Sequence, residues 1–296
     1  MGLTIIAFNG VFIAAIMRNE SLRTLENVLL IKLSCFDILA GVSVIVNSTA
    51  NIFTPVPFDV CLFSACIIGI AFLGSLYSLL GVTMERYIKV CHPFVYLRLA
   101  TIKTMTTYVV SEGLLLIMLL ISTAILSKAT ISESEQRQDK RCMPLRFTDH
   151  SLGAQVITNV AITIPLLVST LIYLRLAWIA HKQRSIIRTL TVVPRSMSRN
   201  DGRQMAEGKL PSERKRINMV GIILFMHYIS FVPTLFNSFI VNMATVSLTL
   251  AIVSKVIREI SNAFVYLNSV VNPVIYAFRN TDIKMAILKL LKKRLV

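Results

Sequence analysis

CLFSACIIGIAFLGSLYSLLGVTMERYIKV, residues 61–90, is the stretch whose reading decides the fold. From Cys61 to Met84 it carries no charged side chain, and it closes on Glu85-Arg86-Tyr87 and Lys89. A helix rising about 1.5 Å per residue crosses a hydrocarbon core of about 30 Å within such a run, and the charges mark where it leaves the lipid. Comparable apolar runs lie on both sides of it. The spans expected are at about 2–17, 27–48, 61–90, 104–126, 154–180, 214–241 and 251–278, each read against the length needed to cross.

Composition agrees. The 296 residues are 55% hydrophobic and 16% charged, and the mean hydropathy is +0.69. That is too apolar for a soluble core of this size, so lipid is the solvent for most of the surface. The expectation is an all-α, seven-helix transmembrane bundle forming a single domain over 1–296. The first run is short, with about 24 Å of helix against a core of about 30 Å, and reads as truncated at its outer end. It lacks the basic start and small-residue cleavage site of a signal peptide.

The net charge of +16 is explained by topology. Counted on alternate sides of the spans, about 23 Lys and Arg fall on one face and about 7 on the other, and the crowded face is cytoplasmic. It includes Arg18, Arg23, Arg98, Lys103, a long basic third loop and the tail. No basic-aromatic platform accompanies the charge, so nucleic acid is not an expected partner. Membrane lipid is. The third loop, about His181 to Arg216, is rich in Arg, Ser and Gly and reads as a solvated linker. After Phe278, an amphipathic helix at about 280–292 starts at Asn280-Thr281-Asp282 and is expected along the inner membrane surface.

Five cysteines leave one obvious pair. Cys61 opens the third span and Cys142 lies in the loop on the same outer side, so a disulfide between them is expected. Cys35, Cys66 and Cys91 read as buried or cytoplasmic thiols, with no metal-binding spacing.

Polar groups inside spans are costly and need a partner or a role. Asp37, Ser75 and Asn268 each lie about 15 to 17 Å from the basic side by helical rise. Asn272 is one turn from Asn268 on the same face, and Ser269 and Asn9 are close to this level. They form either a packed hydrogen-bond cluster or a small cation site, in which Asp37 supplies the charge and Ser75, Asn268, Ser269 or Asn272 neutral oxygens. Pro165, Pro233 and Pro273 kink their spans.

Glu85-Arg86-Tyr87 closing span three, Asn272-Pro273-Val274-Ile275-Tyr276 closing span seven, and Cys61 about 25 residues before Arg86 together resemble the rhodopsin-like G-protein-coupled receptors. The resemblance covers nearly the whole chain, including Asn9, Asp37, Pro165, Tyr173 and Pro233. It implies a receptor at the plasma membrane that binds a small extracellular molecule and activates a heterotrimeric G protein. No cofactor is implied beyond an allosteric sodium ion. The switch implied is Arg86 held at rest by Glu85 and Glu213, released when span six moves outward while Tyr173 and Tyr276 swing in. Tyr87, Asn272 and Pro273 belong to the same motifs.

The chain departs from the family pattern in span six. Phe231 stands where a tryptophan is usual and His227 where a phenylalanine is usual; span four has no tryptophan. His227 reads as a packed, neutral histidine. Ile68 falls where amine-binding members carry aspartate, and Tyr266 where opsins carry the retinal-linking lysine, which disfavours both ligand classes. Ile68, Gly69, Phe72, Phe231, Leu235, Ser238, Asn262 and Tyr266 are expected to line a site for a small, mostly apolar ligand. Residues 84–93 are similar to some fish odorant receptors, implying a chemosensory ligand, whereas residues 268–273 are closer to adenosine or lipid receptors. The alternatives are a secondary transporter using Asp37 as its coupling carboxylate, and a receptor fragment that no longer signals. An enzyme is not expected, since no nucleophile, metal cluster or phosphate loop is present.

Overall fold

The computed structural model describes residues 1–52, 56–130, 151–191, 218, 220–238, 240 and 248–292. Among the described residues, seven helices form the bundle: span one Gly2–Met17, span two Leu25–Ala50, span three Phe58–Cys91, span four Ile102–Thr130, span five Leu152–Thr191 and span seven Leu248–Arg279, with span six at Val220–Ser238. A short helix, Pro93–Leu99, follows span three, and a tail helix, Thr281–Lys292, follows span seven. Within the described residues, five of the helices are long and apolar enough to cross a membrane. Span one is a shorter apolar helix, and span seven carries Lys255, Arg258, Glu259 and several asparagines on an otherwise apolar sequence.

Local chemistry sets the helix ends. Thr24 Oγ1 accepts from the Asn27 amide at 3.4 Å and so caps span two, satisfying one of the donors a helix start leaves open. Pro93 opens the short helix from a position where its missing N–H costs nothing. Asn280 Oδ1 accepts from the amides of Asp282 at 3.0 Å and Ile283 at 3.4 Å, and this cap turns the chain into the tail helix. There Ile283 and Ala286 are buried while Lys289 and Lys292 are exposed, the sidedness expected of a helix lying along an apolar surface.

Span five departs from the expected boundary. It stays helical through Thr191, so residues 181–191, read from sequence as loop, prolong the helix. Lys, Gln and Arg are good helix formers, and an established helix adds turns at little cost.

The buried core runs between the helices. Phe12, Leu30, Leu33, Ile68, Leu76, Leu79 and Leu166 are fully enclosed, whereas Leu114, Met118, Ile125, Leu171 and Phe225 are among the large apolar side chains left outside. That inversion suits a bundle whose outer face meets lipid. Span two also buries a charge pair. Lys32 is ion-paired with Glu112 of span four, and its ammonium lies 4.4 Å from the centre of the Tyr108 ring. The Tyr108 hydroxyl donates to the Tyr77 carbonyl at 2.8 Å.

Candidate functional site

Three polar levels occupy the bundle axis. At the middle level Asp37 is buried and receives three hydrogen bonds. Its Oδ1 accepts from Ser269 Oγ at 2.8 Å and Ser75 Oγ at 3.4 Å, and its Oδ2 accepts from Asn272 Nδ2 at 2.9 Å. Asn9 Nδ2 donates to the Ser269 carbonyl at 2.9 Å and so brings span one to the cluster. A buried carboxylate accepting several hydrogen bonds is the arrangement that offsets part of its desolvation.

Asn268 differs from expectation. It reaches span six instead of Asp37: with His227 Nδ1 donating to the Ile223 carbonyl at 2.9 Å, Nε2 is left to accept from Asn268 Nδ2 at 3.4 Å. Asn268 and Asn272 are on one helix face, but a turn separates them, and the higher one meets the neighbour at its own level. His227 is fully buried, in keeping with a packed histidine. Its ring stacks under Phe231 at 6.0 Å.

The amide oxygens of Asn268 and Asn272 are buried without a hydrogen-bond partner among the described residues. With the Asp37 carboxylate and the Ser75 and Ser269 hydroxyls, the Asn272 oxygen makes up a set of hard oxygen donors of the kind a small hard cation takes, while Asn268 stands beside His227.

At the basic end Arg86 is buried and ion-paired with Glu26 in the first turn of span two. Glu85 Oε2 lies 3.6 Å from Arg86 Nε, and Lys89 Nζ is 3.4 Å from Glu26 Oε2. Lys89 also stands 5.6 Å from the centre of the Tyr96 ring. Burial, then a hydrogen bond to Glu85 and its charge, push the Tyr96 phenol up to about 12. Tyr87 packs against His92 at 5.9 Å.

The sequence motif therefore names Arg86 and Glu85 but misses Glu26. The available signal was position: an acidic residue in the first turn of a helix that starts on the inner side lies near the depth of Arg86. Glu213 lies outside the described residues. Tyr276 is buried against Phe12, with ring centres 5.1 Å apart, and its hydroxyl has no hydrogen-bond partner among the described residues. The Tyr173 hydroxyl rests on Gly221 of span six, where a Cβ would collide with it. Pro273 is buried beside Asn272 in span seven.

The third level is a cavity of about 150 Å³ toward the Cys61 end. Gly69, Phe72, Phe231, Ser238 and Asn262 line it as expected. Ile68, Leu235 and Tyr266 do not: Ile68 turns into the core, Leu235 and Tyr266 pack against it, and Tyr266 sits behind Phe72 with ring centres 5.6 Å apart. Arg258, Gln155, Asn159 and Asn237 also line the cavity. Spacing could have found one of them, because Arg258 is four residues before the expected Asn262. Gln155 Nε2 donates to the Ser238 carbonyl at 3.0 Å, and Ser238 Oγ donates to Asn159 Oδ1 at 3.1 Å, tying spans five and six together at the wall.

Cys35, Cys66 and Cys91 are free thiols; Cys142, the partner expected for Cys61, lies outside the described residues.

Residues 8–276 match the family model described as 7 transmembrane receptor (rhodopsin family). The chain is 23% identical to the adenosine receptor A2b of Rattus norvegicus over 97% of its own length and 86% of that protein's. It is 25% identical to trace amine-associated receptor 5 of Mus musculus over 99% and 83%. To the melatonin receptor type 1A of Phodopus sungorus it is 26% identical over 58% and 48%. These relatives are receptors and not enzymes. With the helical bundle and its apolar outer faces, the match makes the chain a multi-pass membrane protein that belongs to the rhodopsin family of seven-transmembrane receptors, the class A G-protein-coupled receptors.

Proposed function

We propose that this receptor takes a small chemosensory ligand into the cavity at the Cys61 end and activates a heterotrimeric G protein at the basic end, with that end facing the cytoplasm at the plasma membrane. The observation that carries the reading is Arg86, a cation enclosed at the helix end and held by Glu26 and Glu85. A buried arginine with two carboxylates has two arrangements of similar energy available, which is the raw material of a switch.

Packing supports a route from cavity to switch. Phe231 lines the cavity, stacks on His227, and His227 meets Asn268, one residue from Ser269 on the Asp37 carboxylate. Ligand that displaces Phe231 tilts span six, slides Gly221 off Tyr173, and opens the groove into which Tyr173 and Tyr276 turn toward Arg86. Glu213, in this reading, is a further resting partner of Arg86. A sodium ion on Asp37, Ser75, Asn268, Ser269 and Asn272 would hold spans two, three and seven together and favour the resting packing. A Cys61–Cys142 disulfide would fasten the outer loop over the cavity.

The chemosensory assignment is supported by the resemblance of residues 84–93 and by the cavity wall. The names of the relatives point to adenosine, melatonin and trace amines as their ligands. An amine would need a carboxylate in the cavity, and the described lining has none, with Ile68 at the usual position.

The test is nucleotide exchange on a purified heterotrimeric G protein with the receptor in lipid nanodiscs. Arg86→Ala is expected to bring ligand-driven exchange down to the receptor-free rate with surface expression retained. Exchange equal to the parent's would refute the switch.

A further inference from the structure

Arg258 is the charged residue among the described residues lining the outer cavity. It lies in span seven about 15 Å above Asn268 by helical rise, with Asn262 and Val265 below it on the same cavity-facing stripe. That puts it about 30 Å from the basic side, at the outer edge of the hydrocarbon core, where the side chain can stay near water while it borders the cavity. Its guanidinium has five N–H donors in a planar fork, so a bond to the protein through some of them leaves others for a ligand.

The rest of the wall fixes what that ligand looks like. No aspartate or glutamate lines the cavity among the described residues, so the local field favours negative charge. Asn262, one turn from Arg258 and also on the wall, brings an amide N–H of the kind that donates to an anion. Deeper down, Phe72, Leu73, Ile162, Phe231 and Val265 make an apolar floor. About 150 Å³ is the scale of cavity that holds a benzene-sized body.

We propose that the ligand is a compact organic acid: a single ring or short branched chain that rests on Phe231, with a carboxylate held by Arg258 and a hydrogen bond from the Asn262 amide. This deepens the receptor reading and rests on the cavity being its ligand site. A forked carboxylate–guanidinium contact supplies both strength and orientation, and it presses the apolar body down onto the ring that stacks on His227.

The test is ligand-observed NMR binding to the whole receptor in nanodiscs, with phenylacetate, phenylacetamide and phenethylamine as probes of one shape and three charges. Phenylacetate is expected to bind about tenfold or more tighter than the amide, with the amine weakest. Arg258→Gln should erase the preference for the acid, while Arg258→Lys keeps it at reduced affinity; a thermal unfolding curve like the parent's shows that each variant is folded. Equal binding of acid and amide by the parent, no binding of any of the three, or an undiminished preference in folded Arg258→Gln overturns the inference. Binding is read without a G protein, so acid recognition that survives while the Arg86 test fails removes the signalling reading alone, and the reverse removes only the ligand class.

Discussion

Span two anchors ion pairs at Glu26 and at Lys32, six residues apart or about 9 Å along the helix, built on opposite principles. Glu26 meets two cations, Arg86 and Lys89, and Arg86 in turn meets two carboxylates, Glu26 and Glu85. Lys32 meets one carboxylate, Glu112, and the face of one ring, Tyr108. In the first group, breaking the central Glu26–Arg86 contact leaves Glu26 with Lys89 and Arg86 with Glu85, so this contact can be exchanged at modest cost. In the second, breaking the pair strands a charge among apolar helices, where it costs several kcal/mol. The first arrangement suits a switch and the second a fixed clasp between spans two and four.

The largest expected effect comes from breaking the clasp. Lys32→Met alone should destabilise the receptor by about 3–5 kcal/mol by leaving Glu112 buried and alone, seen as loss of folded receptor and a lower unfolding temperature in detergent. Lys32→Met combined with Glu112→Leu should recover most of it. A single variant as stable as the parent would remove the distinction between the pairs.

Opening the redundant group should affect signalling more than folding. Glu26→Gln is expected to raise ligand-independent nucleotide exchange a few-fold, because Arg86 loses one partner yet keeps Glu85, with an unfolding temperature close to the parent's. If exchange stays at the parent's level and the protein unfolds as readily as Lys32→Met, Glu26 belongs with the clasps.

Asp37, five residues beyond Lys32, holds neutral donors in place of a counter-ion and extends the comparison to a third design. Sodium should weaken agonist affinity about fivefold or more in the parent and leave Asp37→Asn unchanged. An identical sodium response in both would take the ion away from this site.

The smallest effect lies at the edge of the redundant group. Tyr96 titrates at about 12 because burial and Glu85 disfavour its anion. A phenol with a raised folded pKa binds its proton more tightly in the native state, so its contribution is complete below about pH 10 and is lost as pH rises through about 12. The alkaline ultraviolet difference between parent and Tyr96→Phe should therefore show a step near 12. A step near 10 would place Tyr96 away from Glu85.

Much of this was legible in the chain. Apolar run length and end charges located the spans, since the cost of burying backbone and charge in lipid leaves few options. Depth counted from the charged ends brought Asp37, Ser75, Ser269 and Asn272 together correctly, because helical rise is nearly constant. Rotation was harder. Ile68, Leu235 and Tyr266 have the right depth for the cavity but turn into the core or pack behind its wall, and Asn268 faces His227. Small tilts and kinks at Pro165, Pro233 and Pro273 shift which side of a helix meets which neighbour, and a one-dimensional pattern does not record them.

The sequence by itself determined an all-helical membrane bundle, the level of each polar residue within it and the arginine on which the proposed switch turns. Tertiary structure alone decided the partners: Glu26 for Arg86, Glu112 for Lys32, and Arg258 at the wall of the cavity. Depth follows from the energy of each residue in lipid, a property of the chain taken one helix at a time. Pairing between residues such as Lys32 and Glu112, eighty positions apart, depends on how helices rotate and cross when their side chains pack, and that is settled only when all of them pack together.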